Sequence, residues 1–147
     1  MTPSQISQIE KSILIRAPRG QVWRALTNLE EFARWFQVKA EGRFAPGARV
    51  DMVSTHPLGK GAAFSVVVQS MEPEVLFSWR WHPGSNDDPS SLVEFRLEDA
   101  EGGTRVTVVE SGFERLPLER RAKAFEDNTR GWEIQSIALQ QYAENAV

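Results

Sequence analysis

Apolar and polar residues follow two periods along the chain. Near both ends the apolar positions recur every three to four residues. Through the middle they alternate. The first period belongs to helices and the second to strands. Residues 9–15 (IEKSILI) begin with an alternating β-branched run in which Ile9, Ile13 and Ile15 share one face. Ala17-Pro18 ends this strand, and Pro18 stands where a helix can open. Val22, Ala25, Leu26 and Leu29 then follow at helical spacing. Thr27-Asn28 reads as one helix stopping and a second starting, the second carrying Leu29, Phe32, Trp35 and Phe36 on one side.

The middle predicts strands over 38–44, 49–54, 62–71, 76–81, 92–97 and 104–110. Pro46-Gly47, Gly59 to Gly61, Glu72-Pro73 and Gly102-Gly103 supply the turns. Residues 76–81 (LFSWRW) place Phe77, Trp79 and Trp81 on one face, with Leu76, Ser78 and Arg80 on the other. Val93, Phe95 and Leu97 share a face in the next strand, and Val106, Val108 and Glu110 share one in the last. From Pro117 onward the pattern is helical. Leu118, Phe125, Trp132 and Leu139 repeat every seven residues, with Ala122, Thr129, Ser136 and Ala143 between them. Gly131 sits inside this helix at a cost of about 1 kcal/mol relative to Ala, which fits a close approach by another backbone.

Strands in hairpin order predict an antiparallel sheet, and the long helix is the only element able to cover its inner face. The expected fold is therefore α+β: a curved sheet of about six to seven strands wrapped round a long C-terminal helix, with two short helices after the first strand. Such an arrangement leaves a hollow lined by the inward faces. The aromatics fit it, since the chain holds five Trp and eight Phe but one Tyr.

Composition narrows the chemistry. At 147 residues the chain has the length of one domain, and its 41% apolar and 25% charged residues are ordinary for a globular protein. It contains no cysteine, which removes disulfides, thiolate nucleophiles and cysteine-held metals. A net charge of −3 argues against a dedicated nucleic-acid partner. No apolar run is long enough for membrane insertion, and the first twelve residues (MTPSQISQIEKS) lack the pattern of a signal peptide. The expectation is a cytoplasmic protein of one domain.

The chain resembles the SRPBCC superfamily, with its START-like, helix-grip fold, and within it the AHSA family, homologues of the activator of a heat-shock chaperone ATPase. The resemblance lies in Ile13-Leu14-Ile15-Arg16-Ala17-Pro18, Val22-Trp23, Ala25-Leu26-Thr27, Trp35-Phe36, Gly47 and Phe77-Ser78-Trp79. It continues through Gly103-Thr104-Arg105-Val106-Thr107-Val108, Glu110-Ser111-Gly112-Phe113, Gly131-Trp132 and Leu139, and covers residues 9–142. It implies the fold, and it leaves open lipid carriers, receptors, cyclases, hydrolases and chaperone activators. One position departs from the family. Ser136 stands four residues after the Gly-Trp tryptophan, where the family usually carries an inward Leu. That leaves the inner face smaller and more polar. Ile134 and Ile137 fall on flanking or outer sides, available to sheet edges or to a second subunit.

The leading expectation is binding of a small hydrophobic or amphipathic molecule in a cavity between sheet and helix. Its expected lining is Trp35, Phe44, Phe64, Val66, Phe77, Trp79, Trp81, Phe95, Val108, Glu110, Phe125, Thr129, Trp132 and Ser136. The alternative for the aromatics is a filled core. Loops at Gly59 to Gly61 and His82 to Ser90, with the Trp35 end of the second helix, would form the entrance. Glu110 either faces inward, where it would satisfy a Trp N–H and have its pKa raised by burial, or is turned to the rim by a bulge at Ser111-Gly112. An inward Glu110 is also the one candidate for acid–base catalysis in a cyclase- or hydrolase-type enzyme. A chaperone partner is the remaining alternative, in a monomer or weak homodimer. His56, His82, Asp87-Asp88 and the Arg120-Arg121-Lys123 run read as solvated residues, so no metal or cofactor is expected. Ser78 and Ser111 lack a nucleophile elbow.

Overall fold

The computed structural model describes residues 8–83 and 90–145. The chain runs β1 (Gln8–Ile15), α1 (Arg19–Thr27), α2 (Leu29–Phe36), β2 (Val38–Ala40), β3 (Arg49–Ser54), β4 (Ala63–Glu72), β5 (Leu76–Pro83), β6 (Ser91–Ala100), β7 (Gly103–Ser111), a short 3₁₀ turn (Phe113–Arg115) and α3 (Leu118–Asn145). The strands form one antiparallel sheet in the order β1-β7-β6-β5-β4-β3-β2. The six strands from β2 to β7 form five consecutive hairpin-type pairs, and β1 closes the far edge on β7. This is the helix-grip architecture that the alternation predicts.

Local chemistry sets the breaks. Pro18 is the N-cap of α1 rather than its first helical residue. The Asn28 side chain accepts the Glu31 backbone N–H at 3.0 Å, which caps α2 directly after α1 ends. Gly102 takes φ +87° in the β6–β7 turn, a conformation costly for a residue with a Cβ. A Cβ at Gly103 would overlap the Ile15 carbonyl oxygen, because the end of β1 lies against it. The neighbouring Thr104 is fully buried and donates its hydroxyl to the Ala17 carbonyl at 2.9 Å.

Three expectations are corrected. The strand predicted over 38–44 ends at Ala40, and Phe44 reaches the core from a loop. The α3 stripe begins late: Leu118 is 75% exposed and Ala122 is exposed, so the first turns of α3 add no apolar side chain from these two positions to the core. No backbone approaches Gly131. A Cβ built there meets nothing within 4 Å.

The core lies between the inner face of the sheet and the three helices. Phe32 stands edge-on to Phe44, with ring centroids 5.3 Å apart, and Phe44 meets Phe77 at 5.1 Å. Trp23 of α1 stands edge-on to Phe77 at 6.2 Å. The C-terminal half of α3 is tied down by polar contacts. Gln140 Nε2 donates to the Leu14 carbonyl at 2.9 Å, Tyr142 Oη to Glu31 Oε1 at 3.0 Å, and Gln21 Nε2 to the Ala143 carbonyl.

Candidate functional site: a hollow beneath the first half of the long helix

Under residues 127–135 of α3 the packing opens into a cavity of about 280 Å³. Phe36, Val38, Phe64, Trp81 and Trp132 form its apolar wall. Phe64 and Trp81 are stacked, with centroids 4.5 Å apart and planes 11° from parallel. Phe36 joins the two sides, since its ring lies 6.4 Å from Trp81 and 6.2 Å from Trp132. Exposed Leu58, Ala62 and Asp127 border the mouth. Gly131 contributes bare backbone to the wall.

Glu110 closes the inner end. By strand parity it points inward with Val106 and Val108, and it is 1% exposed. Its Cα partners across the sheet are Ile9 and Val93, both buried and apolar. Gly112 takes φ +92° only after the strand has ended, so no bulge turns Glu110 outward. Three neutral side chains donate to the carboxylate. Ser91 Oγ reaches Oε2 at 2.5 Å, Trp132 Nε1 reaches Oε1 at 2.8 Å, and Asn128 Nδ2 spans both oxygens at 3.1 and 3.2 Å. Burial pushes the Glu110 pKa above the usual carboxylate range, and the donors from Ser91, Trp132 and Asn128 only partly oppose this. The cluster joins β6, β7 and the first half of α3 at one buried point.

Of the side chains expected to line the hollow, Phe64, Trp81, Glu110 and Trp132 do. Val66, Phe77, Trp79, Phe95 and Val108 are buried in the filled part of the core. Phe125 instead meets Phe113 at 5.6 Å, and Thr129 donates back to the Phe125 carbonyl at 2.7 Å. Ser136, one helical turn after Trp132, is buried but does not border the cavity, and its hydroxyl has no partner among the described residues. Trp35 is not at the rim. It is 4% exposed, packs against Phe32 and Phe36, and donates its indole N–H to the Ala25 carbonyl at 2.8 Å. That carbonyl lies in the last turn of α1, where the helix leaves oxygens unpaired.

Several lining residues escaped the sequence reading. His56 borders the cavity and is half-buried, its Nδ1 accepting the Leu58 N–H at 3.1 Å. Ile134, expected on a flanking side, also borders it, whereas Ile137 is 52% exposed. Asn128 and Ser91 complete the Glu110 cluster. Parity could have found Ser91, which shares the inward face of Val93 and Phe95. Asp87-Asp88, and most of the loop expected at the entrance, lie outside the described residues, as do the first seven residues. Among the described residues no group of three or more His, Asp or Glu is placed to hold a metal ion. No described helix is long and apolar enough to cross a membrane.

A family model described as Activator of Hsp90 ATPase homolog 1-like protein matches residues 16–144. The chain belongs to this family. Solved structures agree on the fold of this AHSA-family chain. A protein from Mesorhizobium loti is 24% identical with a TM-score of 0.78, over 95% of this chain and 98% of that one. One from Nitrosomonas europaea is 17% identical with a TM-score of 0.76 over the whole of both chains. The Aha1 dimer from Colwellia psychrerythraea, solved in solution, is 17% identical with a TM-score of 0.76, over 94% of this chain and 96% of that one. No curated protein matches the AHSA-family chain significantly.

Proposed function

We propose that this chain binds a compact, largely apolar molecule in the cavity under α3. The observation that carries the reading is a hollow of about 280 Å³ walled by four aromatic rings and backed by a carboxylate whose hydrogen bonds are met from within. A dry apolar cavity of about 150 Å³ takes benzene. By that scale this one suits a ligand of about a dozen non-hydrogen atoms. Burial against Phe64, Trp81 and Trp132 would supply the affinity, and the few polar groups would orient the ligand.

Glu110 suits a general acid by its raised pKa. Its oxygens are nevertheless already engaged by Ser91, Asn128 and Trp132, which favours binding over turnover. Native mass spectrometry of the purified protein and a thermal-shift screen of apolar compounds test the reading. A ligand at a hundred times its Kd stabilises by about 2.7 kcal/mol, enough to raise Tm by several degrees. No shift with any compound of suitable size sinks it. The family match favours a second reading, stimulation of a chaperone ATPase. An ATPase assay with purified chaperone decides that one, and an unchanged rate removes it.

A further inference from the structure

Resting on the binding reading and sharpening it, we infer that the cavity selects a neutral or singly protonated aromatic molecule with a hydrogen-bond donor head group, an aryl-alkyl alcohol or amine, and rejects the matching carboxylate. The polar residues around the hollow carry the argument. Two of them are carboxylates, Glu110 at the inner end and Asp127 at the mouth, and no lysine or arginine is among the residues that line it. The partners of Glu110 are neutral donors, so no cation is in contact with it. Asp127 does have a cation, Lys123 at 3.1 Å, but that pair is exposed and screened by solvent. A second anion buried in this low-dielectric space would find no lysine or arginine to pair with among the described lining residues.

The lining also offers an acceptor without a donor. Gln135 borders the cavity and gives its Nε2 to the Phe36 carbonyl at 3.2 Å. Its Oε1 is buried and has no partner among the described residues. A buried carbonyl left unpaired is costly, and a ligand hydroxyl or ammonium would relieve it after a small turn of the amide. The rings of Phe64, Trp81 and Trp132 add attraction for a cation over their faces. His56 accepts at Nδ1 from the Leu58 N–H, which leaves Nε2 as its ring donor.

Four probes on one skeleton test this by calorimetry at neutral pH: 3-ethylindole, tryptophol, tryptamine and indole-3-acetate. Tryptophol and tryptamine are expected to bind at least tenfold more tightly than indole-3-acetate, with 3-ethylindole binding between them and the acid. Binding of 3-ethylindole together with an acid as tight as the alcohol overturns the selectivity and leaves the binding reading standing. No binding by any of the four overturns the selectivity, and the thermal-shift screen then decides the binding reading separately. Gln135→Met is expected to erase the advantage of tryptophol over 3-ethylindole. An advantage that persists in this variant overturns the role given to Gln135.

Discussion

The two ends of the space between sheet and helices are both aromatic, yet one is full and the other hollow. At the filled end α1 and α2 insert Trp23 and Phe32 against Phe77 and Phe44, so rings meet from both sides. At the hollow end the sheet supplies Phe64 and Trp81, but the helix overhead presents Asn128, Gly131 and Gln135 beside Trp132. Neither end is short of aromatic residues. The difference is what the covering element brings. Two short helices can tilt their large side chains into the sheet, whereas one long helix bridges it and places short or polar residues over the gap.

The largest expected effect separates the two ends directly. Phe77→Ala removes a ring with 0% exposure and leaves a new void, so it should cost about 3–5 kcal/mol. Phe64→Ala deletes a ring that already borders open space. Only the lost burial counts there, about 1.5–3 kcal/mol. Urea unfolding of both variants measures the difference. Equal losses would mean that the hollow end packs as tightly as the filled one.

Next comes the polar cluster that ties the hollow end together. The folded-state pKa of Glu110 lies above its ordinary value of 4.5. For a carboxylate raised in this way, its contribution is fully present below pH 4.5 and is lost as pH rises through the folded-state value. Wild type should therefore lose stability relative to Glu110→Gln as pH rises across that window. The loss is about 1.4 kcal/mol for each unit of elevation. Unfolding midpoints of the two proteins from pH 4 to 8 trace it, and parallel curves would show that burial does not control this group. Glu110→Leu should be worse than Glu110→Gln at every pH, because Trp132 Nε1 and Asn128 Nδ2 would lose their acceptor.

Much of this was legible in the chain itself. Alternation located the strands within a few residues and gave Glu110 the parity of Val106 and Val108, because strand parity is set by the backbone; parity leaves open whether a bulge then turns it to the rim. Side-chain reach was not legible. Trp35 has the spacing of a rim residue, but the unpaired Ala25 carbonyl draws its indole into the joint between α1 and α2. Asn128 sits off the apolar stripe of α3, and only the position of Glu110 across the gap makes it part of the site. Starting β6 at Leu92 left Ser91 just outside the strand, so a one-residue error hid a ligand of the carboxylate. His56 and Leu58 come from a loop, for which periodicity says nothing.

The smallest effect probes the hollow through the glycine that α3 places in its wall. Gly131 lies within α3, where glycine costs about 1 kcal/mol relative to alanine. A tightly packed helix face would forbid the exchange, but a Cβ here meets nothing within 4 Å. Gly131→Ala should therefore stabilise the protein by up to about 1 kcal/mol, since the helix gains and no contact resists. The added methyl stands beside Trp132 on the cavity wall, so the same variant should also weaken binding of the largest ligands that the hollow accepts. Thermal unfolding gives the first number and calorimetry the second. A destabilised Gly131→Ala would mean that α3 sits closer to the sheet than a hollow permits, and the contrast between the two ends would fall with it.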